Sequence, residues 1–136
     1  MCIADMDYSS YRKLVSGVKR RETFSDMVIR LARESGLTSP EIYRKAGIDA
    51  KLYSKIISDR NYRPGKDTSL ALAIAFGLDI GNTERLLQLA GFSFNPTCLF
   101  DVAVKDFIIS GIYDRAVIDS TMARFGLPTL PSRFKT

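Results

Sequence analysis

The strongest folding signal in this chain is a series of short segments that begin at helix-capping residues, several of which end at a glycine. Thr23 and Thr38 each precede an acidic residue by three positions, which is the spacing of a capping box. Gly36 and Gly47 close these two segments, since glycine adopts the left-handed backbone of a helix end without steric cost. Apolar residues recur at helical spacing, and no segment alternates with a period of two. The sequence therefore predicts an all-α chain without a sheet.

Five helices are predicted over residues 23–92. They are expected from Thr23 to Gly36, from Thr38 to Ala46, over residues 49–57, from Asp67 or Thr68 to Gly77, and from a cap at Asn82 or Thr83 to Gly91. A basic loop from Ser58 to Lys66 separates the third of these helices from the fourth.

Further helical segments flank this core. Residues 1–22 are expected to form a basic N-terminal arm with an amphipathic helix. Residues 93–136 are expected to hold two helices, which open at Asn95 and at Asp114. These C-terminal helices are expected either to cover the core or to form a homodimer interface.

The composition is that of one folded domain, because 46% of the 136 residues are hydrophobic and 26% are charged. The two cysteines, Cys2 and Cys98, form neither a Cys-x-x-Cys pair nor a disulfide framework. The first ten residues carry acids where a secretory signal needs a basic start, and no apolar stretch reaches the length of a membrane span. We expect a cytoplasmic protein with no metal site and no membrane partner.

The net charge of +5 is concentrated in one segment of the chain. Residues 44–66 contain seven basic and two acidic residues, so this segment alone accounts for the whole surplus. A localised surplus suits a polyanion, because each basic group near a phosphate releases condensed counterions. The alternative is a solvated face that only keeps the protein soluble.

Residues 37–48, Leu-Thr-Ser-Pro-Glu-Ile-Tyr-Arg-Lys-Ala-Gly-Ile, resemble the Leu-Thr-Gln-Glu-Glu-Leu-Ala-Glu-Lys-Leu-Gly-Val stretch of phage-repressor and Cro-like helix-turn-helix regulators. Residues 49–56, Pro64 and residues 70–78 resemble the recognition helix, the loop proline and the fourth helix of that family. The resemblance covers residues 23–92 and implies a five-helix, lambda-repressor-like core. It also implies a transcriptional regulator of the repressor or antitoxin type, whose partner is double-stranded DNA.

In that family the second of the paired helices enters the major groove, which would place the helix at residues 49–57 there. Carried over by position, the residues that face the bases are Ala50, Lys51, Ser54 and Lys55. Lysine suits the acceptors of guanine, serine suits a base or a phosphate, and alanine suits the methyl group of thymine.

Phosphate contacts are expected from two other places. Ser39, at the start of the preceding helix, offers its hydroxyl and its backbone N–H to a phosphate. The basic residues of the loop, Arg60, Arg63 and Lys66, suit contacts with the DNA backbone. The alternative for the loop is a solvated turn without a partner.

Tyr43 departs from the family pattern, which has a small alanine where the paired helices meet. The ring must point outward or separate the helices, unless Ala46, in place of the usual leucine, leaves room for it. The simpler interpretation is a buried ring with its hydroxyl at the surface. A weaker resemblance, over Tyr43 to Asp49 and the two C-terminal helices, is to helical domains appended to bacterial macrodomain proteins. It favours an alternative function as a protein–protein interaction module that does not bind DNA.

Catalysis is not expected, and no cofactor is implied. The chain contains no histidine, which is the commonest general base and metal ligand. Gly65 and Lys66 lack the earlier glycine and the following hydroxyl of a phosphate-binding loop. Four aspartates near the C-terminus are expected at helix caps and exposed positions rather than in an acid–base pair: Asp101, Asp106, Asp114 and Asp119.

Overall fold

The computed structural model describes residues 2–132 and is all-helical over that range. A 3-10 turn at Ile3–Asp5 precedes eight α-helices. They are α1 (Tyr8–Arg20), α2 (Phe24–Ser35), α3 (Ser39–Ala46), α4 (Ala50–Ser58), α5 (Lys66–Ala75), α6 (Ile80–Leu89), α7 (Leu99–Ile109) and α8 (Arg115–Arg124). No strand is present in the described residues, so the predicted all-α class is confirmed. In the same part of the chain, no helix is long and apolar enough to cross a membrane.

The capping boxes predicted from the sequence are present at α2 and α3. The hydroxyl of Thr23 accepts from the N–H of Asp26, and the Asp26 carboxylate accepts from the N–H of Thr23. Thr38 and Glu41 make the same reciprocal pair at α3. Each box satisfies two of the backbone donors that the first turn of a helix leaves without an intrahelical partner.

Acid should weaken the cap of α2. The hydrogen bond from the Thr23 backbone, assisted by the Arg60 guanidinium, holds the pKa of Asp26 below its ordinary value of 3.8. The folded state therefore favours the carboxylate, so this stabilisation is present above about pH 4 and is lost as the pH falls through the lowered pKa. We expect the thermal midpoint to fall more steeply between about pH 5 and pH 3 for the wild type than for Asp26→Asn, as followed by circular dichroism. Parallel curves for the two proteins would contradict this role.

Three helix starts differ from the predicted positions. Helix α5 begins at Lys66, with Gly65 as its N-cap, so Lys66 belongs to a helix and not to the preceding loop. Helix α6 begins after Asp79, whose side chain accepts from the N–H of Asn82, so the predicted cap at Asn82 or Thr83 is wrong. Helix α7 begins at Leu99, four residues after the predicted opening. Helices α5 and α6 therefore begin earlier than predicted, and α7 begins later.

Helices α2 to α6 pack together around one apolar cluster. Helix α5 is the most deeply buried of them, because every residue from Ser69 to Ala75 is buried. Helical periodicity gives this helix two apolar faces. Ala71 and Leu72 face the first cluster, whereas Leu70 and Ile74 face a second one.

The second cluster joins the C-terminal helices to the core. Helix α7 packs against α6 and α8. The buried side chains of this cluster come from α5, α6, α7, α8 and the segment after α8: Leu70, Ile74, Leu87, Val104, Ile108, Ile118, Met122 and Leu130. Residues 93–132 therefore complete the apolar interior of the domain.

The segment after α8 returns to the turn between α3 and α4. Arg115 holds it there, because one guanidinium nitrogen donates to Ala46 O (2.9 Å) and another to Pro131 O (2.6 Å). Gly47, in the left-handed conformation with φ of 73°, lies directly against the Pro131 carbonyl. The last residues, 133–136, lie outside the described part of the chain.

Candidate nucleic-acid interface

Helix α4 has one exposed side, which consists of Ala50, Lys51, Ser54 and Lys55 and which we call the α4 face. These four residues lie at spacings of one, three and four along the helix and therefore share one side of it. The opposite side is in the core, where Tyr53 and Ile56 are buried. The N-cap is Asp49, whose carboxylate accepts from the N–H of Leu52 at 2.7 Å.

Up to residue 132, the C-terminal segment leaves the start of α4 exposed. Pro131 lies against Gly47. Ala50 and Lys51, at the start of α4, are nevertheless exposed. Within residues 2–132, no carboxylate lies within salt-bridge distance of Lys51 or Lys55. The two ammonium groups of the α4 face are thus available to an external anion.

The start of α3 lies beside α4. Ser39 is exposed, and its hydroxyl lies next to the Tyr53 phenol, where it partly opposes the burial that raises the pKa of Tyr53. Tyr43 is half-buried in the first cluster, with its ring centroid 6.1 Å from that of Tyr53 and the rings tilted by 50°. The tyrosine pair therefore fills the contact between the two helices, which agrees with the interpretation of Tyr43 as a core residue.

Tyr62 connects the α4 face to the following loop. The ammonium of Lys55 lies 4.6 Å from the centroid of the Tyr62 ring, a distance typical of a cation–π contact. Tyr62 is itself partly buried against the first cluster. This contact fixes the loop that carries Arg60 and Arg63 next to the α4 face.

Arg60 is engaged within the protein. Its Nη2 donates to the carbonyls of Lys19 (3.0 Å) and Arg21 (2.9 Å) and pairs with Asp26 Oδ2 at 3.1 Å. Arg60 therefore joins the loop to the N-terminal arm and to α2. The sequence offered no sign of this contact, because its partners lie about forty positions away along the chain and no local pattern couples them.

Arg63 and Lys66, assigned together as loop cations, lie in different environments. Arg63 is exposed, and its guanidinium lies beside Gly91 at the end of α6. Lys66 is mostly buried and pairs with the carboxylate of Asp101 on α7. Lys66 thus neutralises an internal acid, whereas Arg63 is open to solvent.

Asp101 lies in a different environment from the one predicted. It was predicted at an exposed or capping position, but only 2% of the residue is exposed. Its Oδ2 accepts from the Lys66 ammonium and from the backbone N–H of Asn95 at 2.7 Å. The pair satisfies a buried carboxylate and joins α5 to α7. By contrast, Asp114 is the predicted cap, because its carboxylate accepts from the N–H of Ala116.

No family model, no curated protein and no solved structure matches this chain.

Proposed function

We propose that this protein is a DNA-binding transcriptional regulator of the repressor or antitoxin type, in which α3 and α4 form a helix-turn-helix and α4 reads the major groove. The observation that carries the proposal is the α4 face, where two unpaired lysines and a serine stand on the solvent side of a short capped helix. In this arrangement Lys51 and Lys55 donate to guanine or phosphate acceptors, and Ser54 donates to either. The protein would act in the cytoplasm, on double-stranded DNA.

Phosphate contacts are assigned to Ser39 and Arg63. Ser39 is exposed at the N-terminus of α3, where backbone N–H groups and the helix dipole favour an anion. Arg63 is exposed on the loop next to Lys55 and Tyr62. Arg60 and Lys66 contribute indirectly, because their charged groups already hold internal partners.

A homodimer would give such a regulator its specificity, because a single module makes few base contacts and two half-sites one helical turn apart supply more. Helix α7 supports this part of the proposal. Its outer side exposes three apolar residues at helical spacing: Leu99, Val102 and Ile109. The same residues favour the second candidate function, a protein–protein interaction module, since an exposed apolar stripe also suits a different partner.

Salt dependence separates these functions. We expect the wild type to bind a labelled duplex of mixed sequence with an affinity that falls steeply with salt, measured as the slope of log K against log salt concentration. The double variant Lys51→Glu with Lys55→Glu should reduce the magnitude of that slope by about two and weaken binding by about tenfold or more. The measurement is fluorescence anisotropy at several salt concentrations. The control is Arg33→Glu with Arg124→Glu, which makes the same charge change at two exposed arginines elsewhere. Absent or salt-insensitive binding by the wild type would contradict the DNA-binding function.

A further inference from the structure

The N-terminal arm is attached to the domain through its end. Helix α1 has no buried residue, so its side chains contribute nothing to the interior. The last carbonyls of a helix lack intrahelical donors, and Arg60 donates to two carbonyls in this region, those of Lys19 and Arg21. Arg60 thus caps the C-terminal end of α1 and places Arg21 beside the loop after α4.

A surface cleft of about 400 Å³ lies at this junction. Three arginines line it from separate parts of the chain: Arg21 from the arm, and Arg60 and Arg63 from the loop. The side chain of Leu89 forms an apolar part of the lining, and Asn61 adds a polar group. We call the space between Arg21, Arg60 and Arg63 the arginine cleft.

Glu22 also lines the arginine cleft, and Asp26 lies near it, but both carboxylates are already paired with arginines. Glu22 binds Arg30 at 3.0 Å and lies 3.6 Å from Arg85, while Asp26 pairs with Arg60. In the part of the chain from residue 2 to residue 132, Arg21 and Arg63 have no carboxylate within 4.0 Å. Two uncompensated guanidinium groups therefore line one cleft, and because like charges repel, an anion between them is favoured.

We infer that the arginine cleft binds a phosphate group, held by the guanidinium groups of Arg21 and Arg63. The planar guanidinium presents paired donors that match phosphate oxygens, and two such groups on one phosphate give a bidentate clamp. Arg60 acts as a positioning residue, because it fixes the arm that supplies Arg21. The N-terminal arm is in this way part of the binding surface and not a separate appendage.

The backbone of bound DNA supplies this phosphate, and in that respect the inference rests on the proposed function. The loop that carries Arg63 is joined to the α4 face through Lys55 and Tyr62, which lie 4.6 Å apart. A duplex on the α4 face therefore brings its phosphates toward the same loop. A free phosphate compound has the same chemistry, so the experiment tests both sources.

The first arm of the experiment measures duplex binding by Arg21→Gln with Arg63→Gln. We expect about tenfold weaker binding than wild type and a salt slope smaller by about one, because one phosphate contact is lost. The control, Arg33→Gln with Arg124→Gln, removes the same charge from exposed positions outside the cleft and should retain the slope. Because Arg21 and Arg63 are exposed, the thermal midpoint of the variant should stay close to that of the wild type.

The second arm titrates inorganic pyrophosphate into the same proteins by calorimetry. If the wild type binds no duplex but binds pyrophosphate, and only the cleft variant loses that binding, the DNA-binding function fails and the phosphate cleft stands with a free ligand. If the wild type binds duplex while the cleft variant matches the control in affinity and slope, the cleft inference is overturned and the α4 face remains. Failure of the wild type to bind either probe overturns both.

Discussion

Gly47→Ala is expected to lower the free energy of unfolding by roughly 3–4 kcal/mol. A side chain on the left-handed backbone at Gly47 costs about 1–2 kcal/mol by itself. The added Cβ would also overlap the Pro131 carbonyl, a backbone atom that cannot turn away. The segment after α8 must then leave its place, and Leu130, which is 1% exposed, loses about 2 kcal/mol of burial. Urea unfolding followed by circular dichroism measures the change.

Gly36→Ala is the matched control for this prediction. Gly36 has φ of 70° and closes α2 as Gly47 closes α3. Among residues 2–132, however, no atom beyond its chain neighbours lies within 4 Å of the position its Cβ would take. Its replacement should therefore cost only the conformational part, about 1–2 kcal/mol. Equal losses in the two variants would show that the C-terminal segment does not press on the turn between α3 and α4.

Lys66→Met is expected to lower the free energy of unfolding by about 3 kcal/mol. Methionine keeps the length of the side chain and a good helix propensity at the start of α5. It removes the charge that faces Asp101, whose carboxylate is buried and then retains only the N–H of Asn95. A buried charge without a partner costs far more than an exposed ion pair contributes, which sets the size of the effect. Chemical unfolding at neutral pH is the measurement.

Two variants make the origin of that loss testable. Adding Asp101→Asn to Lys66→Met removes the buried charge but keeps an oxygen for the Asn95 N–H, so most of the stability should return. Lys51→Met, at an exposed position, should change stability by less than about 0.5 kcal/mol. A Lys66→Met protein as stable as Lys51→Met would place Lys66 outside any internal ion pair.

The internal pairing of Lys66 also bears on the proposed binding of DNA. Segment 44–66 carries the whole charge surplus of the chain, yet the cations at Lys66 and Arg60 hold internal acids. Lys51, Lys55 and Arg63 remain open to a polyanion. Substitutions at these three positions should change binding without changing the fold, whereas substitution of Lys66 acts mainly through stability.

The elements that the sequence alone determined are those built from contacts within a few residues. The boxes at Thr23 and Thr38 close through hydrogen bonds that span three positions, and Gly36 and Gly47 end helices through their own backbone freedom. For this reason the helices of the core, the cap at Asp49 and the exposed face of α4 could be predicted from the order of residues. Boundaries failed where two capping residues competed, as at Asp79 and Asn82.

The partners of the charged residues were decided only by the tertiary structure. Lys66 and Asp101 are 35 positions apart, and Arg60 reaches carbonyls about 40 positions away. Whether a cation meets solvent or a buried acid depends on which helices pack together, and packing follows from the sum of many weak apolar contacts rather than from any short pattern. The sequence therefore located the basic segment, while the fold selected which of its charges face outward and brought Arg21 from the arm to join them.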